Sequence, residues 1–236
     1  MKRLVLAGIN GKMGSFLLAG LNNHPELEVI AGVCQKEDLS RDIPVYNDLD
    51  KLLENEEFDI YIDFTLYDFA YPAIRKMIAK RVPVIVGTTG FTEADIAKLQ
   101  KLAKKHKTKG IIAPNFAIGA ILINKFAAIA TKYFKDFAVY EYHHTAKHDN
   151  PSGTALYIAD TIKQNEGALV EPVYGMRLPG VLATHHIITS DETQKVELIH
   201  QSNNRHSFEE GVILAIEKLS DIKGLIYGLE NAIDID

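Results

Sequence analysis

The sequence has little cysteine, no large excess of either charge and no long apolar run. Cys34 is the only cysteine, so no intrachain disulfide can form, which is typical of a protein from a reducing compartment. Lysine and arginine number 26 against 31 acidic residues, which gives a formal net charge of −5 at pH 7. Basic residues form only short runs, so neither nucleic acid nor a membrane surface is an expected partner.

Apolar segments are also too short for a leader peptide or a membrane span. Only six apolar or small residues lie between Arg3 and Asn10, and a span needs roughly 20. We therefore expect a cytoplasmic location. The 236 residues, of which 47% are hydrophobic and 24% charged, suit one large globular domain or two smaller ones.

Short apolar runs alternate with helix-period segments in the first half of the chain. Helix periodicity is present over residues 13–21 and 93–104, the latter behind Thr92 as a candidate N-cap. The predicted strands are residues 3–7, 28–33, 59–64, 83–86 and 110–113. This alternation predicts a Rossmann-like doubly wound α/β domain with a parallel sheet.

The pattern changes after Asn115. A long apolar helix is predicted over residues 118–134, followed by strand-like "FAVYEYHH", "HHIITS" and "KVELIHQS". These predict a second, smaller α+β domain with an open mixed or antiparallel sheet, and a last helix over 209–219 with the tail "GLIYGLENA" that returns to the first domain. We place the α/β domain at residues 1–114 plus 207–236, and the α+β domain at 115–206.

The segment "VLAGINGKMGSFL" follows the first predicted strand and opens the first helix. Gly8 permits a tight turn, Gly11 lets the backbone approach a pyrophosphate, and Gly14 lets the helix pack on the sheet. The pattern indicates a dinucleotide site, and the simpler alternative is a glycine turn between strand and helix.

The second strand ends in "GVCQKED", with Cys34, Gln35 and Lys36 where an acid would hold the adenosine ribose. We therefore predict that NADPH is favoured and that NADH is also accepted. Lys36, and less directly Lys12, are candidates to pair with a 2′-phosphate, or are solvated surface lysines.

Polar and small residues end three further strands, in "DFT", "GTTGF" and "APNFAIG". Because the carboxyl ends of parallel strands form the ligand crevice, we expect them to line the nicotinamide half of a cofactor, although ordinary turns use the same residues. The candidates are Phe64, Thr65, Gly87, Thr88, Thr89, Ala113, Pro114, Asn115 and Phe116.

The stretch "HHTAKHDNPSGTAL", residues 143–156, combines bases with a predicted helix start at Ser152 or Thr154. Free N–H groups there, with Lys147 within reach, could receive a carboxylate, whereas simple capping needs no ligand. His143 and His144 should point to opposite faces of their strand. The same divergence disfavours a metal site built from His143, His144 and His148, which is the competing interpretation.

Together, "GINGKMG", "DFT", "GTTGF", "APNFAIG", "HHTAKHDNPSGTAL" and "RHSFEEGV" resemble the dihydrodipicolinate reductase family, in the same order and over nearly the whole chain. The resemblance implies an enzyme of the lysine and diaminopimelate pathway. It would reduce 4-hydroxy-tetrahydrodipicolinate, or its dehydrated form, to tetrahydrodipicolinate. It also implies a dinucleotide-binding first domain, a substrate-binding second domain, and a homotetramer formed through the second domain's sheet.

The resemblance also implies roles for individual residues. His143 matches the proton donor, Lys147 its partner at the substrate, and His144 a neighbour that contacts the substrate. Gly153 and Thr154 match the amides that bind a carboxylate. The matches for the cofactor are Gly8, Gly11, Met13, Gly87, Thr89 and residues 113–116.

The chain departs from the family pattern at Ala183-Thr184-His185, where many members have Gly-Glu-His, and in compact loops between Leu39 and Glu54. Two other functions are compatible with a dinucleotide loop: a catalytically silent NADPH-binding sensor, and a different small-substrate dehydrogenase. A sensor has no need of a proton donor beside a carboxylate site, and another dehydrogenase predicts other groups around His143.

Overall fold

A computed structural model describes residues 1–35, 42–165 and 167–233 of the chain. They form two compact units: Met1–Ala113 with Gly211–Asp236, and Pro114–Glu210. In chain order the strands are β1 (Lys2–Ala7), β2 (Leu27–Val33), β3 (Val45–Tyr46), β4 (Ile60–Asp63), β5 (Val84–Val86), β6 (Gly110–Ile112), β7 (Asp136–His143), β8 (Leu169–Arg177), β9 (Ala183–Ser190), β10 (Lys195–Ser202) and β11 (Leu225–Tyr227). The helices are α1 (Lys12–Asn23), α2 (Leu49–Asn55), α3 (Tyr67–Ala79), α4 (Glu93–His106), α5 (Ile118–Ala130), α6 (Gly153–Lys163) and α7 (His206–Lys218), with a 3-10 helix at Leu229–Ala232.

The first unit contains a parallel sheet with the strand order β11-β6-β5-β4-β1-β2-β3. Residues 4–7 of the interior strand β1 are fully buried. Since neighbouring strand residues point to opposite faces, both faces of β1 are covered. On one face Val5 shares a core cluster with Ile74 of α3 and Leu99 of α4. The predicted Rossmann-like fold is confirmed.

Local signals explain where two of the helices begin. The Thr92 hydroxyl oxygen caps α4 by accepting from the Asp95 amide, and the Asp95 carboxylate accepts in return from the Thr92 amide, which is a capping box. Helix α7 begins at His206, before the predicted residue 209, because the Asn204 side chain accepts the His206 amide at 2.9 Å. The tail contributes β11, which pairs with β6 in the parallel sheet.

The second unit contains a mixed sheet with the order β10-β9-β7-β8. Strand β7 runs antiparallel to β9 and parallel to β8. Helices α5 and α6 pack on one face, where Ile123 and Ile158 join Val139 and Ile187 in a core cluster. The prediction of a smaller α+β domain is confirmed.

Two details of the second unit differ from the sequence prediction. Helix α5 ends at Ala130, not 134, because the Thr131 hydroxyl donates to the Ala128 carbonyl at 2.6 Å and the chain turns there. The strands predicted for this unit do not include β8, within which Pro172 lies. A proline is tolerated because β8 is an edge strand, paired on one side only.

No helix of the described residues is long and apolar enough to cross a membrane.

Candidate active site

The loop between β1 and α1 forms the turn that the glycine pattern predicts. The Gly8 amide donates to the Val33 carbonyl of β2 at 2.8 Å, and the Gly11 amide donates to the Gly8 carbonyl at 2.8 Å. Gly8 has φ +82°, and a Cβ atom there would lie 2.6 Å from the Phe64 carbonyl oxygen. Only glycine fits this position without strain. Gly11 precedes α1, and no side chain caps its end.

A cavity of about 510 Å³ opens beside this loop in the first unit. Four of the predicted cofactor residues line it, namely Gly8, Gly11, Phe64 and Thr65. Among the described residues, Asn10, Cys34, Gln35, Leu66 and Phe69 also line it. Cys34 and Gln35 follow β2 directly, so neither of the two residues that line the cavity after this strand is acidic. Lys36 lies outside the described residues.

A buried carboxylate joins the ends of β4 and β5. Asp63 Oδ1 accepts hydrogen bonds from the Thr65 hydroxyl at 2.6 Å, the Thr65 amide at 3.0 Å and the Thr88 hydroxyl at 2.7 Å. The Tyr61 hydroxyl donates to Oδ2 at 3.2 Å. Burial raises the pKa of Asp63 despite these donors. The network holds Thr65 and Thr88 in fixed positions at one end of the sheet.

The other predicted cofactor residues do not line this cavity. Lys12 and Thr89 are exposed on the surface, and Met13 is half-buried on α1. Gly87 lies against the Phe64 ring. Residues Ala113 and Phe116 are buried, and Pro114 and Asn115 are half-buried, in the segment after β6.

In the second unit, His143 is the last residue of β7 and Glu141 lies two residues before it on the same face. The His143 Nδ1 atom makes a short hydrogen bond with Glu141 Oε2. Glu141 is fully buried, and His143 is 8% exposed. Burial lowers the pKa of His143, as do the charges of Lys147 and Arg177, while Glu141 acts in the opposite direction. An acceptor at Nδ1 leaves Nε2 as the nitrogen free to exchange a proton.

Arg177, on the neighbouring strand β8, holds the Glu141 carboxylate with two parallel hydrogen bonds. Nη1 lies 3.1 Å from Oε2, and Nη2 lies 3.0 Å from Oε1. The Ser152 amide donates to Oε1 at 2.9 Å. A carboxylate this deeply buried is stable only with such partners, and removing one typically costs about 3–5 kcal/mol.

The predicted carboxylate receptor is partly occupied by the chain itself. Asp149 Oδ1 lies 2.8 Å from Lys147 Nζ, and the Gly153 amide donates to Asp149 Oδ2 at 3.2 Å. Burial alone would raise the pKa of Asp149, but Lys147 and the Gly153 amide outweigh it and the pKa is lowered. An acidic side chain therefore already satisfies two of the predicted substrate ligands.

Helix α6 begins as predicted, with Ser152 as its N-cap accepting from the Ala155 amide at 3.2 Å. The Thr154 hydroxyl accepts a hydrogen bond from the Asn115 carboxamide at 3.1 Å. Free amides at a helix start are suited to an anion. His144 lies just beyond β7 in a turn closed by the Lys147 amide on the His144 carbonyl.

Two further imidazoles stack behind His143. His185 of β9 makes an edge contact with His143, with ring centroids 5.4 Å apart, and lies parallel to His200 of β10 at 6.3 Å. Burial, together with the nearby His143, His200 and Lys147, lowers the pKa of His185 to about 3. Within the described part of the chain, neither ring nitrogen of His185 has a hydrogen-bond partner. The imidazole is therefore kept neutral.

Sequence reasoning missed Glu141, Arg177 and Asp149. Asp149 stands inside the quoted 143–156 stretch, and Glu141 could have been found from its i−2 spacing to His143 on a strand. Arg177 could not, because its strand was not predicted.

Residues 1–35, 42–165 and 167–233 contain no group of three or more His, Cys, Asp and Glu that could hold a metal ion.

Comparisons with known proteins match both units. The family models described as "Dihydrodipicolinate reductase, N-terminus" and "Dihydrodipicolinate reductase, C-terminus" match residues 2–116 and 119–233. A 4-hydroxy-tetrahydrodipicolinate reductase from Lactococcus lactis subsp. cremoris is 36% identical, over 99% of this chain and 98% of that protein. One from Listeria innocua is 34% identical, over 98% and 100%.

Solved structures give the same result. A dipicolinate-bound dihydrodipicolinate reductase from Paenisporosarcina sp. TG-14 has a TM-score of 0.85 and 33% identity, covering 99% of this chain and 100% of that one. A probable dehydrogenase from Thermotoga maritima has a TM-score of 0.73 at 12% identity, covering 98% and 92%, and this likeness concerns the fold alone.

Proposed function

Because the chain belongs to the dihydrodipicolinate reductase family, we propose that it reduces 4-hydroxy-tetrahydrodipicolinate, or its dehydrated form, to tetrahydrodipicolinate in lysine and diaminopimelate biosynthesis. The predicted membership is confirmed, and the chain is an NAD(P)H-dependent oxidoreductase. The observation that carries the proposal is that both His143 and Lys147 are tied to the start of α6. His143 and the Ser152 amide share the Glu141 carboxylate, and Lys147 and the Gly153 amide share the Asp149 carboxylate.

His143 is proposed to donate the proton. Hydride addition to a conjugated cyclic imine builds negative charge that an acid must quench, and a bound nicotinamide supplies that hydride. With Nδ1 on Glu141, His143 presents Nε2 for this step. Lys147 is proposed to stabilise the developing charge and to orient the ring, and His144 to contact the substrate from the turn after β7.

Gly153 and Thr154 are proposed to bind one carboxylate of the substrate through their amides, with Lys147 as counter-ion. Support comes from Asp149, whose carboxylate already uses the Gly153 amide and Lys147. The solved Paenisporosarcina relative is described as bound to dipicolinate, a planar dicarboxylate. We expect dipicolinate to compete with substrate here as well.

A nicotinamide cofactor fits the first unit. Gly8 and Gly11 leave backbone exposed beside the 510 Å³ cavity, in a place where a side chain on Gly8 would collide with Phe64. The predicted residues at the strand ends, Phe64, Thr65, Gly87, Thr88, Thr89 and 113–116, are proposed to surround the nicotinamide. Cys34 and Gln35 replace the usual acid, so we propose that NADPH binds at least as well as NADH, with Lys36 and Lys12 near the 2′-phosphate.

A homotetramer is proposed, formed through the sheet of residues 115–206. Apolar side chains on the sheet face opposite α5 and α6 support it, since Tyr174 is 58% and Ile199 57% exposed in the single chain. Residues 1–114 plus 207–236 are proposed as the cofactor domain. A cytoplasmic location, and the absence of nucleic-acid and membrane partners, remain predictions.

One assay separates the proposal from its alternatives. Purified protein is supplied with NADPH and freshly made synthase product, and cofactor oxidation is followed by absorbance. Steady turnover supports the reductase. Binding of NADPH without turnover would indicate a sensor, and turnover only with an unrelated substrate would indicate a different dehydrogenase.

The roles of His143 and Lys147 need variants that are folded and bind NADPH normally. His143→Gln should lower kcat roughly 10²- to 10⁴-fold with little change in KM, because acid catalysis is lost. Lys147→Ala should damage both parameters. The double variant should be hardly worse than the more damaging single one, since groups that act together lose their function together. Retention of more than about a third of kcat in His143→Gln would exclude it as the donor.

A further inference from the structure

Glu141 is a buried carboxylate to which the proposed reaction assigns no step. Its oxygens form hydrogen bonds with the His143 ring, both terminal nitrogens of Arg177 and the Ser152 amide. Three different segments, β7, β8 and the start of α6, therefore converge on one side chain. A buried charge with this many directed partners is held in a single position.

This inference rests on the proposed role of His143 as proton donor. We propose that Glu141, clamped by Arg177 and the Ser152 amide, is the positioning residue that holds His143 with Nδ1 protonated and so makes Nε2 the atom that delivers the proton to substrate. Glu141 touches neither the reacting atoms nor the cofactor in this scheme. It acts through His143.

The contacts of His143 fix the orientation of its ring and its tautomer. Spacing of two residues on β7 places both side chains on one face, so the ring meets the carboxylate edge-on. The carboxylate can only accept, so Nδ1 must carry the hydrogen. The edge contact with His185 of β9 holds the ring from another side.

The groups around His143 show why a carboxylate is needed to favour its protonated form. Lys147 from the turn and Arg177 from β8 disfavour the imidazolium form, as burial does. His185 faces the ring from β9 with His200 of β10 behind it, and His185 remains neutral. Asp149 is already paired with Lys147.

Glu141 is therefore the carboxylate in contact with His143, and it favours the protonated ring, which burial, Lys147 and Arg177 disfavour. Without it, the effects of burial, Lys147 and Arg177, which disfavour protonation of the ring, would no longer be opposed by Glu141.

The test compares Glu141→Gln with Glu141→Asp in the full-length protein. Glu141→Gln should lower kcat at pH 7 by at least about tenfold, with KM and the NADPH Kd changed less than about twofold. Its kcat–pH profile should move to lower pH by about one unit or more, so that part of the activity returns in acid. Glu141→Asp keeps the carboxylate and should restore part of the rate at pH 7.

Nitrogen-15 NMR of His143 gives a readout that needs no turnover. The wild type should show the Nδ1–H tautomer, and Glu141→Gln should show a mixture and titrate at lower pH. The matched control is Glu209→Gln, which removes the carboxylate bound to the exposed His206 on α7. It should leave the His143 spectrum and the rate unchanged.

Since Glu141→Gln leaves the Arg177 charge without its carboxylate partner, a double variant, Glu141→Gln with Arg177→Met, provides a second measurement if the single one unfolds. An unchanged His143 tautomer in either variant, or a rate loss equal at every pH, would overturn the inference while the reductase function stands. A wild type that binds NADPH without turnover, yet shows the Glu141-dependent tautomer, would reject the proposed function and leave the positioning intact.

Discussion

Gly175 of β8 lies directly beneath the Glu141 carboxylate, with which it is in register across the β7–β8 pair. A Cβ atom on Gly175 would overlap Glu141 Oε1 and the Asn150 side chain. Glycine at position 175 therefore leaves the space that the Glu141 carboxylate occupies.

Gly175→Ala should displace Glu141 and release His143 from it. We expect kcat to fall by about tenfold or more and the melting temperature to drop by several degrees, because close-packed interiors do not absorb an added methyl group freely. Kinetics and thermal unfolding measure both. In a Glu141→Ala background the same change should cost less, since one of the two colliding groups is gone, and strictly additive losses would contradict the contact.

Asp149 occupies Lys147 and the Gly153 amide, which are the proposed ligands of a substrate carboxylate. Asp149→Asn removes the competing charge, so dipicolinate should bind up to about fivefold more tightly, as expected for a half-exposed ion pair worth about 0.2–1 kcal/mol. Titration calorimetry at low salt measures this. Asp160→Asn, an equal change of charge on the exposed side of α6, should have no effect. Weaker binding by Asp149→Asn would mean that Asp149 orients Lys147 for the ligand.

The buried His185 should make stability depend on pH. Its pKa falls from 6.5 in the unfolded chain to about 3 in the fold. Below pH 6.5 the unfolded state therefore binds a proton at His185, whereas the folded state stays unprotonated there. The free energy of unfolding decreases progressively as pH falls from 6.5 toward 3. The loss at pH 5 should be about 2 kcal/mol.

Urea unfolding of wild type and His185→Leu at pH 7 and pH 5 checks this expectation. The variant should lose less stability between the two pH values, whereas His206→Leu, at an exposed imidazole, should behave as wild type. Equal pH dependence in His185→Leu would show that other groups, such as His143 or His200, carry the effect.

Lys36 follows Gln35 in the segment after β2. If it contacts the 2′-phosphate, Lys36→Ala should weaken NADPH binding by about 1–2 kcal/mol and leave NADH unaffected. Fluorescence titration with both cofactors measures the difference. Lys80→Ala, at the exposed end of α3, is the control, and equal losses for both cofactors would remove this role from Lys36.

Much of the fold could be predicted from local patterns. Buried parallel strands such as β1 are continuous apolar runs, and the start of α4 carries its own capping signal at Thr92. These features need only neighbouring residues. Strand β8 could not be predicted, because Pro172 is compatible with a strand only at a sheet edge, and the edge is a property of the assembled sheet.

The candidate site divides in the same way. The sequence by itself determined that His143, Lys147 and a helix start at Ser152 lie close together, because they are neighbours along the chain. Only the tertiary structure decided which groups form hydrogen bonds with these residues and set their charge states. Arg177 is distant in sequence and reaches Glu141 through strand pairing, and His185 becomes a neutral imidazole through burial against His143. Pairing across strands and exclusion of water are long-range effects, and a residue's charge state is determined by them.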